Sequence, residues 1–273
     1  TPCGTLFPYT TLFRSEVFSG RPLYLDGMTQ TFQARIFAQG ELSAPLPELP
    51  RFFSSFLTVE SEGRVFSQFP PGWAGLLALG VLLGLPWIVP PLCGGLAAYG
   101  LFLLLREDGE GGRTALFTAL VFALAPWFVF NAASWMNHVP AVAFILLGSW
   151  ALLKGMKNPE RWYLPGLGGA LLSFAVLIRP LEGVAFGFPA TVWAVARGWR
   201  HPAFRKGLGA FAAGGAAVMG LLFAYNWVQH GAPGTFGFEV QWGPSHRLGF
   251  HEAPWGPPHT FLRGVQLLNG YFL

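Results

Sequence analysis

Apolar residues run in long blocks from position 73 to position 229, and the breaks between blocks are proline, glycine and charge. Such blocks predict membrane helices, because a hydrocarbon core about 30 Å thick needs about 20 apolar residues in helical form. Six spans are expected, over residues 88–105, 114–131, 139–153, 163–178, 182–197 and 207–229. The run from Trp73 to Leu85 differs: its 13 residues reach only about 20 Å as a helix, and Pro86, Pro90 and Pro91 part it from the next block. It is expected to lie along the membrane as an interfacial helix with Trp73 at headgroup depth.

Ahead of these blocks lies the one long polar region, Tyr24 to Leu42, followed by Ser67-Gln-Phe-Pro-Pro-Gly-Trp73. Within it Phe32, Ile36 and Phe37 recur at helical spacing, which predicts an amphipathic helix on the membrane surface with Gln30, Gln33 and Arg35 toward water. The expected organisation is four segments: residues 1–15, which resemble a translated adapter and are set aside from fold reasoning; a first loop at 16–72 with amphipathic helices; a transmembrane bundle at 73–229; and a further polar segment at 230–273. The fold class expected is an all-α integral membrane protein. The chain has no initiator Met and reads as an internal fragment of a longer protein.

Composition agrees with the pattern. The chain is 52% hydrophobic and 16% aromatic but only 11% charged, with a mean hydropathy of +0.45, whereas soluble domains carry about 25% charge. The net charge of +4 does not point to nucleic acid, because the basic residues sit between apolar runs. Their distribution sets orientation instead. Loops near 106–113, 154–161 and 197–206 hold nine Lys and Arg, against one, Arg179, in the alternating turns. By the positive-inside bias, residues 16–72, the Asn131–His138 turn, the Arg179 turn and the segment after His230 converge on the extracytoplasmic side. The glycines from Gly207 to Gly220 predict close helix packing rather than a phosphate loop. Cys3 and Cys93 form no disulfide or metal pattern.

Few residues in these segments carry chemistry. Asp26 can act as a general base or hold a divalent cation, and Asp26-Gly27 equally reads as a turn. Arg179 can grip a phosphate by bidentate hydrogen bonds, or snorkel to the headgroups with Glu182 as partner. His138 reads as a ligand contact or as a capping and packing residue. His246, His251 and His259, with Glu239 and Glu252, match no metal signature and read as a wet loop. No nucleotide-binding loop or nucleophile elbow is present.

Several of these segments together resemble the bacterial family 39 glycosyltransferases, the relatives of protein mannosyltransferases and of the aminoarabinose transferase of lipid A. The residues that carry the resemblance are Asp26, Gln33-Ala-Arg-Ile-Phe-Ala-Gln-Gly-Glu-Leu42, Phe69-Pro-Pro-Gly-Trp73, Asn137-His-Val-Pro140 and Arg179-Pro180, and it covers about residues 20–270. It implies a membrane fold of the GT-C type and a polyprenyl-phosphate sugar as donor, with no nucleotide. It also implies a site on the outer face of a bacterial inner membrane and transfer to a protein, lipid or envelope-glycan acceptor. Asp26 matches the family's first-loop aspartate, with Tyr24, Gln33, Arg35, Gln68, His138 and Arg179 as substrate contacts. Gly27 stands where many members have a second acid, and some members carry Asp near the position of His138. The rival expectations are a transporter or lipid flippase, which would place ionisable residues within the spans, and a non-catalytic scaffold.

Overall fold

A computed structural model describes residues 22, 24–49, 54–249 and 260–272. The order along the chain is helix α1 (Leu25–Ala38), strands β1 (Ala44–Pro45), β2 (Thr58–Ser61) and β3 (Arg64–Ser67), then helices α2 (Pro71–Leu82), α3 (Val89–Asp108), α4 (Gly112–Leu124), α5 (Pro126–Ala133), α6 (His138–Gly155), α7 (Tyr163–Ile178), α8 (Pro180–Arg200), α9 (Arg205–His230), α10 (Gly237–Trp242) and α11 (Phe261–Phe272). The expected adapter segment, residues 1–15, lies outside the described residues, as do His251, Glu252 and His259.

Helix dominates, but the first loop is not all helical. β1, β3 and β2 form an antiparallel sheet in that order, with Val59 opposite Phe66 and Glu60 opposite Val65. Its hairpin turns at Glu62 and Gly63, both at positive φ (51° and 72°), the left-handed geometry that a two-residue hairpin loop requires. Val59 and Phe66 are buried, so the sheet has a core face of its own.

Three helical segments are long and apolar enough to cross a membrane, Pro86–Asp108, His138–Gly155 and Pro202–His230. The expected span at 114–131 is broken. Pro126 starts a new helix bent by 63° from α4, because proline removes an N–H and clashes with the preceding turn. If the bent pair counts as one, four segments qualify. The expected spans at 163–178 and 182–197 do not. α7 has only 16 residues, about 24 Å at 1.5 Å per residue, and α8 carries Glu182, Arg197 and Arg200.

Helix packing is closest where glycine removes the side chain. A Cβ on Gly169 would stand 2.1 Å from the Phe211 carbonyl oxygen, and one on Gly214 would stand 2.1 Å from that of Gly166. α7 and α9 therefore meet backbone to backbone, as the glycine run predicts. α6 packs between α3 and α7.

α2 departs from the sequence expectation. Trp73 is not at a surface: it is fully buried, in one cluster with Ala34, Leu77, Ala97, Val139 and Ile178. Pro70 and Pro71 start the helix, as proline does at a first turn. Gly72 then lets it reach α7, where a Cβ would lie 2.7 Å from the Leu177 carbonyl carbon. The helix is a wedge between the first loop and the apolar helices.

The two ends of the helices differ in chemistry. At one end the three basic loops meet: Lys157 pairs with Glu107, Arg197 donates to the Met156 carbonyl at 2.6 Å, and Lys206 lies 4.2 Å from the Trp162 ring centre. At the other end the four polar segments expected together do come together. Trp73 Nε1 donates to the Trp135 carbonyl at 2.8 Å, Asn137 Nδ2 to the Ile178 carbonyl at 3.4 Å, Gln229 Nε2 to the Leu42 carbonyl at 3.3 Å and Trp242 Nε1 to Gln68 Oε1 at 2.8 Å.

Candidate functional site

The site is at that second end, where α1, the Ser134–His138 turn and the α7–α8 corner meet. Asp26 lies in the first turn of α1, so Asp26-Gly27 is helical and not a turn. A carboxylate there is favoured by the helix dipole. Gly27 is buried, and a Cβ on it would come within 2.9 Å of Trp135 Cβ. No side chain fits at 27 while α1 rests on Trp135, which gives a physical reason for glycine beside Asp26. Asp26 is half-buried, one residue before the glycine on which α1 meets the Trp135 turn.

Arg179 is the hub of the cluster. It sits in extended backbone between α7 and α8, the conformation imposed by the following Pro180. Its Nε donates to Glu182 Oε1 at 2.5 Å, and Nη2 pairs with the same oxygen. Its Nη1 donates to Asn137 Oδ1 at 2.9 Å and contacts His138 Nε2 at 3.2 Å. A guanidinium can only donate, so Nε2 is an acceptor there and the neutral ring carries its proton on Nδ1. That nitrogen is buried without a hydrogen-bond partner among the described residues. Both edges of the guanidinium are occupied. Of the two expected readings of Arg179, the pairing with Glu182 is present, and an anion can take the Nε–Nη2 edge only by displacing that carboxylate.

His138 opens α6 as its first helical residue, with Asn137 as the N-cap. It stands edge-on to Trp127, with ring centres 6.3 Å apart. Tyr24, the residue before α1, is partly exposed and packs edge-on to Phe130 at 6.1 Å.

The remaining expected contacts do other work. Gln33 is fully buried and spends both ends of its amide, donating to the Leu42 carbonyl at 2.9 Å and accepting from the Ser67 N–H at 2.8 Å. It clasps α1 to β3. Gln68 is spent likewise on Trp242 of α10. Arg35 is exposed on the opposite face of α1. The expected face is kept in part, with Ile36 buried and Arg35 exposed, but Thr29, Gln30 and Gln33 also point inward, while Leu25 and Met28 are exposed. Those two residues border an open apolar cavity of about 440 Å³, lined also by Phe32, Leu46, Pro47 and Val65, with Glu60 on its wall.

A second polar group escaped the sequence reading. Tyr225, Asn226, Gln229 and His230 occupy the last turns of α9, with Asn226 and Gln229 buried. Asn226 Nδ2 donates to the Pro233 carbonyl at 3.0 Å, and the His230 ring lies 5.5 Å from Phe66 and 6.0 Å from Tyr225. Two amides inside an apolar helix were the available signal, since buried amides need partners. Here Gln229 ties α9 to the first loop at Leu42, and Asn226 ties it to the turn that follows at Pro233.

Among the described residues no three His, Cys, Asp or Glu side chains gather as a metal would require. Asp26 stands as a single carboxylate rather than as part of a metal-ligand set. His246 is exposed and contacts Ser245 and Trp242. Comparison with family models, curated proteins and solved structures finds no match for this chain.

Proposed function

We propose that the protein is a membrane glycosyltransferase of the GT-C type that moves a sugar from a polyprenyl-phosphate donor to an acceptor on the extracytoplasmic face of a bacterial inner membrane. The observation that carries this reading is the packing of the start of α1, which holds Asp26, on the Trp135 turn that presents Asn137 and His138 to Arg179, at the end of the apolar helices opposite the basic loops. Such a position suits a lipid-borne donor whose phosphate lies at headgroup depth, and the resemblance of these segments to family 39 points the same way.

In this reading the acceptor hydroxyl attacks the anomeric carbon while Asp26 takes its proton. The bond from that carbon to the phosphate oxygen breaks on the opposite face, which inverts the configuration. The leaving polyprenyl phosphate gains a second negative charge as it changes from diester to monoester. Arg179 offsets that charge, as preorganised donors do for charge developing in a transition state, and Asn137 and His138 hold its Nη1 in place. General-base removal typically contributes 10²- to 10⁴-fold. Tyr24 stands just before α1, two residues from Asp26, and the cavity beside Leu25 offers room for an apolar part of the acceptor.

The test is transfer itself. The complete protein, purified and placed in vesicles, is given a radiolabelled polyprenyl-phosphate sugar and envelope acceptors, and labelled product with inverted anomeric configuration is expected. Movement of intact labelled lipid between leaflets without glycosidic cleavage would replace this reading with that of a flippase.

A further inference from the structure

Arg179 holds an anion already. Glu182, three residues on in the first turn of α8, places one carboxylate oxygen against both Nε and Nη2 of the guanidinium. That edge is the one whose two parallel N–H groups match a carboxylate or phosphate fork. The opposite side, Nη1, is held by groups that are themselves anchored. Asn137 is tied to the Ile178 carbonyl, and the His138 ring packs edge-on to Trp127. Glu182 has no anchor on another element: besides Arg179, the bond found for its carboxylate among the described residues is to its own backbone N–H. Its side chain is 40% exposed and that of Arg179 26%, so an anion from the aqueous side can reach the pair without opening the core.

We propose that Glu182 is a resident counter-ion seated where the phosphate of the donor binds, and that donor binding must displace it. This rests on the transferase reading and names what sets donor affinity in that site. With the seat empty of donor, Glu182 neutralises Arg179 and fixes its rotamer. When a phosphate arrives, Glu182 rotates away, and the two anions then repel at short range. The carboxylate therefore weakens phosphate binding, and it also favours departure of the leaving polyprenyl phosphate, because Glu182 can return as the product goes. The start of α8, where negative charge is favoured, supports either anion.

The experiment measures binding of inorganic phosphate to the complete protein in lipid nanodiscs by ³¹P line broadening. Wild type is compared with Glu182→Gln and with the double variant Glu182→Gln, Arg179→Gln. Glu182→Gln is expected to bind phosphate about tenfold more tightly, as removal of one like charge near a partly exposed seat would give, and the double variant is expected to lose the gain. In the transfer assay Glu182→Gln should lower the donor KM and also lower kcat, through slower product release. A purely structural ion pair would give weaker phosphate binding and a raised KM in Glu182→Gln, and that result overturns the proposal. Should that variant not fold, Glu182→Asp, which keeps the charge but shortens its reach by one methylene, is expected to tighten binding about threefold, and no tightening overturns the proposal. Tighter phosphate binding in the variant with no transfer by the wild type would leave the anion seat standing and remove the transferase reading. Transfer by the wild type with no tightening would remove the role of Glu182 alone.

Discussion

Trp73 donates its indole N–H to the backbone carbonyl of Trp135 at 2.8 Å, across 62 positions of sequence and wholly within the core. The bond joins the start of α2 to the turn that presents Asn137 and His138, so the wedge helix and the candidate site are set by one contact. Trp73→Phe keeps most of the ring but leaves that carbonyl unpaired, which costs about 1–3 kcal/mol. Thermal unfolding of the purified protein should show a lowered midpoint for Trp73→Phe and a larger drop for Trp73→Ala, since large-to-small changes at such sites cost about 3–5 kcal/mol.

Gly27 is expected to resist substitution for steric reasons. Gly27→Ala would gain a little helix propensity, about 0.5–1 kcal/mol, but overpacking against Trp135 costs about 1–3 kcal/mol. Net destabilisation is expected, with Gly27→Asp, the second acid of the resembling family, worse than Gly27→Ala. Equal stability of Gly27→Asp and wild type in a melting series would show that α1 does not rest on Trp135.

Gln33 should behave as a clasp and not as a substrate contact. Gln33→Leu strands the Ser67 N–H and one bond to the Leu42 carbonyl, each worth about 1–3 kcal/mol when buried and unpaired. Faster amide exchange at β3 is expected, with an unchanged donor KM for the folded fraction. A raised KM with unaltered exchange would return Gln33 to the substrate.

The interface of α7 and α9 predicts a further mutational asymmetry. Gly169→Val and Gly214→Val both drive a side chain into backbone at 2.1 Å, while a Cβ at Gly209 or Gly220 meets nothing within 4 Å. The first pair should abolish accumulation of folded protein in membranes, and the second pair should leave it near wild type, as read by fluorescence-detected size exclusion.

These contacts mark what could be read from sequence. The glycine run announced close packing, the basic loops gathered at one end as charge bias required, and His138 and Arg179 were both named before their contact was visible. The small sheet was hidden because its hairpin turns on Glu62-Gly63 rather than Asn-Gly, and its strands hold only two to four residues. Gln30 and Gln33 were assigned to water because amides normally face it. Only the three-dimensional partners of Gln33, Leu42 and Ser67, reverse that. Trp73 gave the same kind of error: a tryptophan at the start of a short apolar run fits an interface, and its burial depends on Trp135, far along the chain. Glu182 was legible as a neighbour of Arg179, but its seat on the guanidinium edge that a phosphate would need was not.

The central claim is that Asp26 removes the acceptor proton, and the most direct measurement is transfer from a labelled polyprenyl-phosphate sugar by Asp26→Asn in the complete, folded protein. Asn preserves the shape and the place at the start of α1 while removing the base. The expected result is a fall in kcat of about 10²- to 10⁴-fold with the donor KM little changed; transfer retained at the wild-type rate would contradict the account.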